Sequence, residues 1–513
     1  MERSAGILLP IAALPSRHGI GSLGKAAYEW IDYLVKAGQS WWQILPVGPT
    51  SYGDSPYQSF STFAGNPYYI DLDMLIEDGL LSEGELPDES GMDPRTVDYG
   101  RIYETRFTVL KLATDRLWER DPEKIETFRK ENAGWIENYA LFMAAKRHFG
   151  MRAWTEWPDQ ELRFREPETV SLYTTLLEED IRFFIALQYL FFSQWQALRA
   201  YARKKAIGII GDLPIYVAMD SADVWSESRF FHLDEDLQPI DVAGCPPDAF
   251  TEDGQLWGNP LYDWEEMRRD GYGWWIRRVD GAGKLYDMIR IDHFRGFDSF
   301  WAVPAGDKTA AGGRWIQGPG IDLVKRLTAW FCDLRFIAED LGYLTPDVKK
   351  LLKDSGLPGM KVLEFAFDSR EPGDYLPHNY TPNSVCYTGT HDNTPLAAWF
   401  EEAAPEDVGM AETYLGLNEK EGYTWGVLRG GMSSVSELFV AQLQDYLGLG
   451  AEARTNRPGS LGCNWKWRLT DGLLTDELAE RIERMTWRCG RLPKKAETAE
   501  ANEESAEALK EES

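Results

Sequence analysis

Residues 289–297 read IRIDHFRGF: an apolar strand that ends by placing an arginine, an aspartate and a histidine where a buried strand has no use for charge. Side chains alternate along a strand, so Ile289 and Ile291 share one face while Arg290 and Asp292 share the other. Three more apolar runs end in the same way. IGIIGDLP ends at Asp212, RFIAEDLG presents Glu339 and Asp340, and SVCYTGTHDN presents His391 and Asp392. A salt bridge or a helix cap accounts for one acid after a strand. Four such ends together need another reason, because clustered carboxylates cost stability unless they act on something. Only six histidines occur in the chain, and two of them, His293 and His391, adjoin these acids.

Several chemistries lack their residues. A zinc site wants HxH or HExxH spacing, and neither occurs. Neither GxSxG nor the phosphate-cradling GxxxxGK[ST] appears. GIGSLG at 19–24 fits the dinucleotide fingerprint and precedes a helical stretch, but PSRH at 15–18 separates it from the preceding strand, where the fingerprint needs an immediate turn. A loop leading into a helix is enough to explain it. What remains is a set of carboxylates in a chain with 21 Trp, 23 Tyr and 23 Phe. Trp225, Trp257, Trp264, Trp301 and Trp315 fall in Gly/Pro-rich loops, a lining that suits sugar rings. Carboxylates around an aromatic cleft fit glycosidic bond cleavage, with one acid attacking the anomeric carbon and another protonating the leaving oxygen. Asp292 and Glu339 are the candidates, and a retaining pair stands about 5–5.5 Å apart. Arg290 would keep Asp292 ionised, while Asp292, Asp340 and Asp392 would raise Glu339 so that it starts as an acid.

Acids at strand ends need a scaffold that gathers those ends. Eight apolar runs recur: 6–14, 41–49, 207–217, 286–292, 335–342, 359–368, 384–392 and 438–445. Amphipathic stretches such as AAYEWIDYLVKAG (26–38) and GIDLVKRLTAWFCD (320–333) lie between them. The alternation predicts a parallel sheet, and eight repeats predict its closure into a (β/α)8 TIM barrel, with an open doubly wound sheet as competitor. Arg290 and Asp292 would then project together at the rim, and Glu339 would stand on the neighbouring strand. Residues 81–180, with RIYETRFTVLKLATDRLW and NYALFMAAKRHF at helical spacing, read as a mostly helical insertion. Residues 219–272 hold Gly, Pro and aromatics without clear periodicity and read as a loop subdomain or lid. The catalytic barrel is therefore discontinuous, over 1–80 and 181–492. Residues 493–513, with seven Glu against three Lys, form an acidic tail expected to be disordered.

The sequence around these residues resembles the amylomaltase (4-α-glucanotransferase) family of the α-amylase clan. The resemblance rests on SYGDSPYQSFSTFAGNP (51–67), GDLPIYVAMDSADVW (211–225), CPPDAFTEDGQLWGNPLYDW (245–264), RIDHFRGFDSFWAVP (290–304), IAEDLGYLTPDV (337–348), GMKVLEFAF (359–367), YTGTHDNTP (387–395), LQDYLGLGAEARTNRPG (443–459) and NWKWR (464–468). It implies Asp292 as nucleophile, Glu339 as acid/base and Asp392 as transition-state stabiliser. Arg290, His391 and Asp212 match donor-subsite residues, and Tyr57, Trp257 and Asn464 match further glucan contacts. The loop 244–258, with Phe250 near its tip, is similar to an acceptor-covering lid. Two departures are Asn393-Thr394-Pro395, where many relatives have Asn-Asp-Thr, and Cys463 in place of a small residue.

The function so implied is transfer of α-1,4-glucan segments between maltooligosaccharides, amylose or starch-type glucans, with no metal and no organic cofactor. An α-1,4-glucan hydrolase using the same acids is the alternative, and a non-catalytic glucan-binding protein a distant one. A net charge of −29 argues against nucleic acid as a partner. No apolar run approaches the roughly 18 residues of a membrane helix. The first apolar run, broken by Pro10, reads as a core strand rather than a secretory signal. Five scattered cysteines with no CxxC suit a reducing compartment, so the cytoplasm is expected.

Overall fold

The computed structural model describes residues 2–51, 53–89, 91–247, 252–342, 344–370 and 373–493. Among them are twelve strands: β1 (Ser4–Leu8), β2 (Trp41–Gln43), β3 (Gly208–Leu213), β4 (Asp241–Cys245), β5 (Gln255–Pro260), β6 (Met288–Ile291), β7 (Ser299–Pro304), β8 (Arg314–Gln317), β9 (Arg335–Ala338), β10 (Gly359–Val362), β11 (Ser384–Tyr387) and β12 (Leu438–Gln442). Eight of these, β1-β2-β3-β6-β9-β10-β11-β12, close into an all-parallel barrel, and each of the eight apolar runs supplies one. The sheet is thus closed, not open and doubly wound.

Strand alternation sorts the core into two populations. Leu8, Ile210, Met288, Ile337, Met360, Val362, Val385, Tyr387, Leu438 and Val440 fill the lumen with Trp41. Ile209, Ile289, Ile291, Ala338, Cys386 and Phe439, one position out of phase, join the larger core. Arg290 therefore follows Met288 on the lumen face, which is why a charged residue can sit in this strand. At the lower end, Gly6 and Gly208 flank Trp41 in register on either side. A Cβ at Gly6 would lie 2.7 Å from Trp41 Cβ, and one at Gly208 2.4 Å from its indole. Two missing side chains make room for one large one.

Between β2 and β3 the chain forms the helices Tyr99–Arg120, Pro122–Glu131, Ile136–His148 and Pro167–Leu176, and then the 27-residue helix Glu178–Lys204. That last helix runs through residue 180, the expected end of the insertion. It packs on Ile136–His148 and Tyr99–Arg120, and also on Lys25–Lys36 and β3. Two of its buried glutamines hold the loop after β2. Gln188 accepts from Gly65 N–H (2.7 Å) and donates to Gly65 O (2.9 Å). Gln194 does the same at Asp71 (2.7 and 3.1 Å). Each amide replaces a strand partner that the loop lacks.

The loop region beyond β3 is organised by a four-stranded sheet in the order β5-β4-β7-β8. β4 pairs antiparallel with β5 and with β7. The sheet therefore reaches past 272 to residues 299–317. No described helix is long and apolar enough to cross a membrane. The five cysteines, all among the described residues, form no disulfide.

Candidate active site

Backbone register brings the acids together. Asp212 pairs with Arg290 across β3 and β6, and Ile291 with Ala338 across β6 and β9. Beyond the strands, Asp292 N–H donates to Leu213 O and Glu339 N–H to Ile291 O, both at 3.0 Å. Residues 292 and 339 thus stand side by side, one strand spacing of about 4.8 Å apart.

Arg290 organises this side of the rim. Its Nη1 donates to both oxygens of Asp212 (2.8 and 2.7 Å) and to Asp292 Oδ1 (3.0 Å). Tyr57 OH donates to Asp212 Oδ2 at 2.7 Å. The Asp212 side chain is 0% exposed, against 27% for Asp292 and 42% for Asp392. Asp212 therefore acts through Arg290 and Tyr57, while Asp292 and Asp392 are open to a ligand. Glu339 is held by backbone: His293 N–H donates to Oε2 (2.6 Å) and Leu341 N–H to Oε1 (2.9 Å). His293 has φ 47°, a left-handed conformation rare outside glycine. That turn brings its N–H round to Glu339. The Trp257 ring meets the His293 ring edge-on at 4.8 Å.

The third acid comes from the end of β11. Asp392 Oδ1 accepts from Asn456 Nδ2 at 2.6 Å and lies 3.3 Å from His391 Nε2. Arg454 donates to Asp392 O at 2.6 Å. Tyr57 stacks on His391 at 5.2 Å, and Trp465 closes the group at 5.8 Å from Tyr57 and 5.9 Å from His391.

Burial raises Asp292 well above the usual carboxylate range; Arg290 opposes this and the charges of Asp212, Glu339 and Asp392 add to it. Arg290 acts in the direction expected of it, favouring the ionised form of Asp292, while burial acts against it. Glu339 is also raised, first by burial rather than by neighbouring acids, with Arg290 and its two backbone donors opposing and Asp212 adding. Both neighbouring carboxyls are thus shifted toward holding their protons more tightly. Asp340 points elsewhere, accepting from Met360 N–H at 2.6 Å. Burial lowers His391 from the usual imidazole range, with Asp392 opposing, and lowers His293 to about 3.

One site candidate falls outside this cluster. Asn464 spends its amide on its own loop, accepting from Arg457 N–H (2.9 Å) and donating to Ser460 O (2.9 Å). Phe250 lies outside the described residues. Three contributors escaped the sequence reading: Trp465, Asn456 and the His293 backbone. Trp465 was within reach, being one residue from Asn464 in NWKWR.

The 4-alpha-glucanotransferase family model matches residues 9–475. A 4-alpha-glucanotransferase from Clostridium butyricum is 48% identical over 484 residues, covering 94% of this chain and 99% of its own. One from Thermus thermophilus is 45% identical over 496 residues, covering 94% and 98%. Among solved structures, the amylomaltase from Streptococcus agalactiae in complex with acarbose matches with a TM-score of 0.93 at 41% identity, covering 96% of this chain and 100% of that one. With its acids gathered at the rim of a closed barrel and relatives matched along nearly their whole length, the chain belongs to the 4-alpha-glucanotransferase family.

Proposed function

We propose that this 4-α-glucanotransferase moves α-1,4-glucan segments between maltooligosaccharides, amylose or starch-type glucans by retaining double displacement. Asp292 is the nucleophile and Glu339 the acid/base. An Asp292 oxygen bonds to the anomeric carbon as the glycosidic C–O bond breaks, and the leaving glucan oxygen takes the Glu339 proton. The 4-hydroxyl of a second glucan then gives its proton to Glu339 and bonds to the anomeric carbon, which releases Asp292. Asp392 and His391 hydrogen-bond the donor sugar, and Arg290, held by Asp212, offsets charge on Asp292 as it leaves and returns. The observation that carries this reading is the register that sets 292 and 339 side by side, with Glu339 fixed by two backbone N–H groups.

Transfer must outcompete water, which requires a cover over the acceptor side. We assign that cover to β4, β5 and the loop between them, which carries Trp257 at its edge and Phe250 in its span. We place the enzyme in the cytoplasm, consistent with five cysteines outside any disulfide. Polyanions are not expected among its partners, and activity should survive chelation.

Maltotriose supplied alone should yield glucose together with longer maltodextrins. Glucose and maltose with nothing longer would refute transfer. Asp292→Ala should lower both transfer and hydrolysis by at least about 10⁴-fold. Near-native turnover would remove Asp292 from its role.

A further inference from the structure

Asp392 and His391 sit on residues 388–395, a stretch without regular structure between the end of β11 and the helix Leu396–Glu402. The stretch is cross-tied within itself. Asn393 Oδ1 accepts from the Thr390 N–H (2.9 Å) and hydroxyl (3.0 Å), and Asp392 N–H donates to Thr390 Oγ1 (3.3 Å). Its middle is held from outside by Arg454 on Asp392 O and by Asn456, whose N–H donates to His391 O (3.1 Å). Its two ends are held by one side chain. Asp445, in the helix Leu443–Leu447 that directly follows β12, is 0% exposed. Its Oδ2 accepts from the Thr388 hydroxyl at 2.5 Å and its Oδ1 from Leu396 N–H at 2.8 Å. Pro395, the residue before that helix, supplies no side-chain cap, so the acceptor comes from the neighbouring strand end.

We propose that Asp445 is a positioning residue for glucosyl transfer: by gripping Thr388 and Leu396 it sets where Asp392 and His391 stand relative to Asp292. A carboxylate suits the task because it only accepts, and both ends of the loop present donors. Burial pushes Asp445 up to about 6, and its two donors are what oppose that. An apolar residue there would leave the Leu396 N–H and the Thr388 hydroxyl without this acceptor. The two oxygens of the aspartate reach both fixed points at once.

This inference rests on the assignment of Asp392, and a double-mutant cycle separates the two. A 1 Å displacement of a reacting group costs about 10²-fold, so Asp445→Ala should lower kcat on maltotriose by about 30–100-fold with KM within about threefold. In an Asp392→Asn background, Asp445→Ala should cost less than about threefold more, because its effect passes through Asp392. Asp445→Asn, with Oδ1 on Leu396 N–H and its amide N–H turned to the Thr388 oxygen, should restore kcat to within about threefold of the parent. Thr388→Val cuts one of the two grips without opening a cavity, and it replaces Asp445→Ala in the cycle if that variant does not fold. Losses that multiply independently of Asp392, or a kcat within about threefold of the parent for Asp445→Ala, overturn the inference. Near-native turnover of Asp392→Asn alone would instead overturn the role of Asp392.

Discussion

At the scale of single residues, the site is a problem of sharing protons and one cation. Asp292 and Glu339 both hold protons more tightly than free carboxyls, chiefly through burial. The working form has one proton, on Glu339. Activity should therefore fall on the acid side as Asp292 is protonated, and on the alkaline side as Glu339 loses its proton beside an ionised neighbour. Both limbs should lie above the ordinary carboxylate range. Glu339→Gln, assayed on an α-glucosyl donor whose phenolic leaving group needs no acid, should lose the alkaline limb. It should keep the acid limb nearly in place, because glutamine replaces a neighbour that is neutral at that pH. An alkaline limb that persists would belong to another group. Asp212 is sealed behind Arg290 and Tyr57 and reaches the rim only through them.

At the scale of elements, the eight strands were legible because each is a short apolar run that alternates and then ends in polar residues. The acids were legible for the same reason, since Asp292 and Glu339 break the pattern at the strand ends. What hid was structure whose partners lie far along the chain. β8 is exposed along most of its length, carries no alternation signal, and makes sense only beside β7. The helix Glu178–Lys204 is covered on several sides, so its pattern does not mark where insertion ends and barrel begins. Gln188 and Gln194 sit in that helix like ordinary polar residues, and only their backbone partners reveal them. Asn464 was singled out and Trp465 passed over because a motif gives neighbourhood, not side-chain direction. Element packing also yields a stability test. Gly208→Ala should destabilise the barrel by about 1–3 kcal/mol, since its methyl would enter the Trp41 ring. Chemical denaturation would measure this, and a Trp41→Leu background should remove most of the penalty. A full penalty in that background would mean that something other than the indole resists the methyl.

At the scale of the whole molecule, the buried acids should shape stability against pH. Burial pushes Asp223 and Asp340 up to about 7 and Asp445 up to about 6, and it also raises Asp292, Glu339 and Glu364. A carboxyl that binds its proton more tightly when folded contributes stability below its unfolded pKa, near 4, and loses it as pH rises through the folded value. The opposite group, such as Glu85 and Asp368, each lowered to about 2 by an arginine partner, loses stability only as pH falls below about 4. Those pairs are exposed and contribute little. The thermal midpoint should therefore drop by several degrees between pH 5.5 and pH 8, and calorimetry at several salt concentrations would follow it. Salt should relieve only the share due to the net charge of −29. A midpoint that is flat or rising over that interval would show that these carboxyls are paid no such penalty.

Trp41, seated over two glycines, and the apolar layers above it leave the barrel with a floor. A polymer cannot be threaded through it like a rope through a ring. Long glucans must lie across the open mouth, and both pieces of a cut chain depart sideways from the face by which they arrived. Reach is then bounded by how the polymer drapes over the surface, not by the depth of any hole.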